Sequence, residues 1–356
     1  MYFRVLEDQG HFIVGYVVPD NYDGHCHLVV RSAGREVAAA PANELRHDLA
    51  GLIAVGRHRT GACGFTLDES LAPGLAEWAD LTIHDAETEM LIYRRPNARH
   101  VQKRVLRLES HLYPLWRLDA ALNARFQYTC NRIDNHGHET VTQFLLPYDT
   151  PSVYVSGRIF HERYRTHIEQ TFQVVFLMHH PLEELAERLV LLSRIKQDGE
   201  NVLSMRDNIS LRLAIEFAES LPFHDERALA RQFRNMDGET ARVFSNPVTR
   251  QLTATETHEM PRKNSISRAL DALASFAVVG LRRAPNASME ALAGLVGLSP
   301  AALPPLGNLP GVTTLAKTLK RTRAADGLLD QDLEIYFHIA EALKKSGMVD
   351  TPAKTA

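Results

Sequence analysis

Two short stretches of the chain carry residue types that could do chemistry. In the first, Ser156-Gly157-Arg158 follows the apolar run VYV and precedes the polar, helix-like HERYRTHIEQTF. A glycine at a strand-to-helix turn lets the backbone approach a ligand closely, a serine can donate a hydrogen bond, and an arginine can clamp an oxyanion with two parallel N–H groups. Arg163 and Arg165 follow at the next helix turn. In the second stretch, His179 and His180 close the run VVFLM and stand before Pro181. An imidazole titrates near neutrality, so either histidine could take a proton from a hydroxyl. The same residues also suit a tight turn, hydrogen-bonded structural histidines and a solvated helix face, and those readings stay open here.

The apolar periodicity predicts what must position them. VYVSG reads as a buried strand, ERYRTHIEQTF as a helix, VVFLM as a second buried strand and LEELAERLVLLSRI as a helix with Leu182, Leu185, Leu189 and Leu192 on one stripe. Strand, helix, strand, helix predicts a parallel βαβ unit with a right-handed crossover. Ligand crevices in open sheets of this kind form at the carboxyl ends of the strands, where His179 and His180 would lie. Glu183, Glu184 and Glu187 are expected to complement the dipole of the last helix. The remainder reads as helix-rich, interrupted by a strand within FAVVGL, with Ser288 as a helix N-cap.

The first quarter is different. HFIVGYVV, HCHLVVRS, GACGFTLD, ADLTIHDA and MLIYRR are β-rich, the turn residues Asp20 to Gly24 separate the first two, and an antiparallel β-sandwich is expected over residues 1–95. NARHVQKRVLR reads as a solvated linker into an amphipathic helix over 96–138, or as a basic rim over an anionic ligand. The α/β domain then spans 139–346 and a flexible tail 347–356. The fold class is thus multidomain, all-β followed by α/β. A formal net charge of -3 gives no reason to expect nucleic acid as a partner. No secretory leader or membrane-length apolar run is seen, and three scattered cysteines argue for a reducing compartment, so a cytoplasmic location is expected. His25 with His27 and His136 with His138 lack a third ligand in sequence, and no metal is expected.

Two resemblances bear on function. Gly15, Val17, Ala42, Arg46, Asp48, Leu49, Gly56, His58, Gly64 and Phe65 stand as in a β-sandwich module attached to bacterial enzymes that build or decorate surface glycans. The later part resembles the bacterial carbohydrate sulfotransferases, through VVFLMHHPLEELAERLVLL, FAVVGL with Gly280, and LLDQDLEIYFHIAEAL with Asp332, Leu333 and Tyr336. That resemblance implies a P-loop-type α/β fold moving a sulfuryl group from a 3'-phosphoadenosine donor to a glycan hydroxyl. Ser156, Gly157, Arg158 and Arg163 would hold the donor and His179 or His180 would be the base. The family's donor loop is not matched, His179 replaces its arginine, and Glu187 replaces its serine. The alternatives are a transferase with another nucleotide donor, or a catalytically inactive scaffold or binding protein in surface-polysaccharide assembly.

Overall fold

The computed structural model describes residues 1–19, 26–47, 61–146, 150–198 and 202–347. The expected turn at Asp20 to Gly24, His25, the module positions Asp48, Leu49, Gly56 and His58, and the tail from 348 on lie outside the described residues. The chain divides into two compact units. The first comprises Met1–Arg104, Leu122–Cys130 and His136–Tyr154, and the second Val105–Ala121, Asn131–Asn135 and the chain from Val155 on.

The first unit holds β1 (Tyr2–Asp8), β2 (Phe12–Val18), β3 (Cys26–Ser32), β4 (Arg35–Ala42), β5 (Glu44–Leu45), β6 (Ala62–Asp68), β7 (Thr82–Asp85) and β8 (Leu91–Arg94). They form two four-stranded antiparallel sheets, ordered β1-β2-β6-β5 and β4-β3-β7-β8. Alternation sets the inward rows. Cys26, Leu28 and Val30 of β3 are buried, as are Cys63, Phe65 and Leu67 of β6. Ala33 and Gly34, both at positive φ, make the tight β3–β4 hairpin in which Ser32 pairs with Arg35. Gly15 leaves room for an aromatic ring, because a Cβ there would lie 2.6 Å from both the Phe65 ring and the Arg4 carbonyl. Cys26, Cys63 and Cys130 are buried.

Further along the chain come β9 (Arg104–Leu108), α1 (Trp116–Asn123), β10 (Tyr128–Cys130), α2 (His138–Leu145), β11 (Val153–Gly157), α3 (His161–Thr171), β12 (Gln173–Met178) and α4 (Pro181–Asp198). The helices α5 (Met205–Ser210), α6 (Arg212–Glu219), α7 (Glu226–Arg234), α8 (Gly238–Phe244), α9 (Pro247–Thr253) and α10 (Ser265–Ala274) precede β13 (Val278–Leu281), and α11 (Pro285–Val296), α12 (Val312–Thr322) and α13 (Asp330–Lys345) follow it. The five-stranded sheet runs β10-β11-β9-β12-β13, with β12 parallel to both β9 and β13. The expected α/β layering is present.

The βαβ arrangement differs from expectation in one respect: β9 lies between β11 and β12, so the strands joined by α3 are not neighbours. Residues 104–108, read as part of a linker, are this central strand. Their cations disguised it, since Arg107 is buried against carboxylates rather than solvated. The α4 stripe is as expected, with Leu185, Leu189 and Leu192 packing among Ala214, Ala218, Leu229, Phe244, Leu315 and Leu319. Glu183, Glu184 and Glu187, however, point inward and are buried. Ser288 is no N-cap: α11 starts at Pro285, and the Ser288 hydroxyl donates to the Leu281 carbonyl at 3.0 Å, beneath Gly280. Among the described residues no helix is long and apolar enough to cross a membrane.

The helical part is stitched by reciprocal caps. The Asp332 carboxylate accepts from the Val248 and Thr249 amides at 3.0 and 2.8 Å, capping α9, while Asn246 Oδ1 accepts from Gln331 and Asp332 amides at 3.0 and 3.2 Å, capping α13. Burial pushes the Asp332 pKa up to about 6 despite those donors. Asp332→Ala leaves two buried amides without an acceptor, and unfolding in urea is expected to show a loss of about 2–3 kcal/mol. An unchanged midpoint would mean that water serves those amides.

Candidate functional site

The strand order creates a switch point. After β9 the chain builds β10 and β11 on one side, then crosses to β12 and β13 on the other. The crevice of such a sheet opens outside the carboxyl ends of the strands where the connections part, here β9 and β12. The residues leaving the strands there are Glu109-Ser110-His111 after β9, Arg158 after β11, His179-His180 after β12 and Arg282-Arg283 after β13. All of the first three, His179 and Arg282 are buried.

At the β11 turn, Ser156 is buried with its hydroxyl 3.4 Å from Asn131 Oδ1. Gly157 sits at φ 146°, and a Cβ there would lie 2.5 Å from Asp134 Oδ1. Only glycine fits. Asp134 accepts from the Arg158 amide at 2.9 Å and its guanidinium at 2.8 Å, and Asp207 receives the same guanidinium nitrogen from the other side. Burial works against the Arg158 charge, but Asp134 and Asp207 outweigh it and raise the pKa. The turn is thus built as the sequence suggests, but its cradle holds the chain's own carboxylate. Arg163 stands on α3, partly exposed, 3.7 Å from Glu256 and beside the Tyr164 ring, and shares none of the contacts of the Asp134–Arg158–Asp207 set.

At the β12 end, His179 Nε2 lies 3.1 Å from Asn308 Oδ1 and its Nδ1 3.3 Å from Glu183 Oε2. Burial would raise the Glu183 pKa, but His179 and Arg283 hold it down to about 2. His180 Nδ1 accepts from the Leu182 amide at 3.3 Å at the start of α4, and its ring meets Tyr336 edge to face at 4.8 Å. Burial, then Arg283, lower its pKa to about 4, so it is neutral at physiological pH. The two histidines therefore differ in setting: one lies among polar groups in the crevice, the other caps a helix.

The densest part was not visible as a site in the sequence. Arg107 binds Glu109 and, at 2.6 Å, Asp119. The Ser110 hydroxyl donates to Glu184 at 3.0 Å, and Arg188 donates to the Ser110 carbonyl and, at 3.0 Å, to Glu184. Arg282 lies 3.4 Å from Glu187 and donates to the Gly307 carbonyl at 2.7 Å. His111 is 3% exposed, and among the described residues neither ring nitrogen has a hydrogen-bond partner. Burial first, then Arg282, Arg107, His179 and Arg188, drive its pKa well below the usual value, leaving a neutral imidazole in a cationic field. Burial pushes Glu109 up to about 7 against the pull of Arg107, helped by Asp119 and Asp134, and raises Glu187 as well. The only early signal was the polar triplet Glu109-Ser110-His111 directly after RVLRL.

The arrangement is an acid-rich, internally paired ion network containing two neutral imidazoles and a carboxyl that holds a proton near neutrality. No family model matches the chain, and neither a curated protein nor a solved structure matches it.

Two outcomes follow from these pairings. Arg158→Ala strands Asp134 and Asp207 together, and a stability loss of about 3–5 kcal/mol is expected in denaturant unfolding. Because the folded pKa of Glu109 is raised, its contribution to stability is full below the ordinary value and fades as pH rises through about 7. His180 and His111, with lowered pKa values, act in the opposite direction as pH falls. Glu109→Gln keeps the protonated shape, so the variant should gain on the wild type when urea midpoints are compared at pH 5 and pH 8. A pH-independent difference would place the Glu109 proton elsewhere.

Proposed function

We propose that this chain is a divergent relative of the bacterial carbohydrate sulfotransferases that takes no nucleotide donor, and that it acts in the cytoplasm as a non-catalytic binding or scaffold protein in surface-polysaccharide assembly. The observation that carries this reading is the filling of the switch-point crevice by the chain's own acids. Glu184 and Glu187 project from α4 onto Arg188 and Arg282, and Asp134 fills the cradle at Gly157. A 3'-phosphoadenosine donor would bring several negative charges into that acid-rich setting, where like charges repel strongly. The glycan setting is supported by the module-like positions Gly15 and Phe65, which pack on each other.

A second reading, a sulfotransferase acting on an envelope glycan, is favoured by His111. Among the described residues neither ring nitrogen of this buried imidazole has a hydrogen-bond partner, so one is free to face an acceptor hydroxyl.

The test is a thermal-shift titration with adenosine 3',5'-bisphosphate up to millimolar concentration. A ligand at a hundredfold excess over its Kd would add about 2.7 kcal/mol and raise the melting temperature by several degrees. The scaffold reading expects a flat response. A concentration-dependent rise that disappears in His111→Ala would replace it with the transferase reading.

A further inference from the structure

Among the described residues helix α13 presents a largely solvent-exposed stripe, with Leu333 at its inner edge packing against the core. Asp330, Leu333, Glu334, Phe337, His338 and Glu341 line one open groove along it, spaced as residues on one helical face. Phe337 is 63% exposed, while its neighbours Ile335, Tyr336 and Ile339 are buried on the opposite side. Lys344 and Lys345 extend the face at the carboxyl end.

The charges on this helix are polarised, acidic in the first turn and basic in the last. Dipole matching explains that pattern for a solitary helix, but it does not explain an exposed phenylalanine midway between the charges. The spacing does. Asp330 and Lys344 each lie seven residues from Phe337, roughly 10 Å along the axis at about 1.5 Å per residue. If two such helices lie antiparallel with Phe337 on the twofold axis, each Phe337 meets its counterpart. Asp330 of each then faces Lys344 of the other, twice over by symmetry. Leu333 falls opposite the turn at Ala340 and Glu341, and Glu341 is already neutralised by Lys345 of its own helix at 2.9 Å.

We propose that α13 is a homodimerisation surface in which two copies of this chain pair antiparallel through Phe337, with reciprocal Asp330–Lys344 ion pairs setting the register. The occupant is a second copy because a single helix supplies both halves of the charge pattern. A foreign basic peptide would satisfy Asp330 and Glu334 but would leave Lys344 and Lys345 facing like charge.

Sedimentation velocity on the full chain across micromolar loading concentrations tests this. The wild type is expected to show a concentration-dependent monomer–dimer equilibrium that weakens in high salt. Phe337→Asp, on an exposed site that leaves the fold intact by circular dichroism, should raise the dimer Kd by about tenfold or more. Asp330→Lys should weaken it by about threefold to tenfold, and Asp330→Lys combined with Lys344→Asp should return it to near the wild-type value. A wild-type monomer at every concentration, or a dimer indifferent to Phe337→Asp, would overturn the proposal. A double variant no better than Asp330→Lys alone would overturn the antiparallel register.

Discussion

A guanidinium cannot be taken out of water without a partner, and the second unit places several at the carboxyl edge of one sheet. Arg107, Arg158, Arg188 and Arg282 are each answered by acids from different parts of the chain: Asp119 from α1, Asp134 from the short turn before α2, Asp207 from α5, and Glu184 and Glu187 from α4. Helix α4 is buried over most of its surface, and its rotation is fixed by its ion pairs as well as by its leucine stripe. A rotation that withdrew Glu187 from Arg282 would leave a charge uncompensated in a low dielectric, a penalty of about 3–5 kcal/mol. The network's contribution is therefore to register more than to net stability.

The same logic of unsatisfied groups governs the helical layer. Helix starts leave amides without partners, and here they are served by residues distant in sequence, Asp332 for α9 and Asn246 for α13, and by the adjacent His180 for α4. Tyr336, one turn beyond Asp332, closes on the His180 ring. In this chain the positions in the Asp332-to-Tyr336 stretch thus serve as stitching between α9, α13 and α4.

Much of the architecture could be read from periodicity, because alternation in β3 and β6 and the leucine stripe of α4 are one-dimensional signals. The turn at Gly157 was equally legible, since a glycine between a strand and a helix has few other uses. What could not be read was whatever depended on pairing across the chain. Arg104 and Arg107 read as solvated because nothing local shows Asp119 arriving beside Arg107, and the central strand therefore reads as a linker. The acids of α4 looked like dipole complements because helical position alone does not tell an inward glutamate from an outward one. His111 stands in a polar triplet after the strand, but its setting comes from burial and from Arg282, Arg107 and Arg188, which converge only in three dimensions.

The start of α4 shows how the chain's own groups occupy positions that suit an anion. A helix that begins at the carboxyl edge of a parallel sheet offers free amides and the positive end of its dipole, which is the usual setting for a bound anion. Here His180 accepts from the Leu182 amide, and Glu183 and Glu184 stand in the first turn bound to Arg283 and Arg188. Asp134 plays the same part at the β11 turn. At these two places the groups that would meet an external anion are already held, by His180 and by Asp134. That interaction energy is thereby realised on folding instead of on binding. The acids exceed the arginines at this edge, and burial raises the pKa of Glu109 to about 7 and that of Glu187 as well. An incoming anion would have to break pairs that hold the sheet, its helices and their protons together.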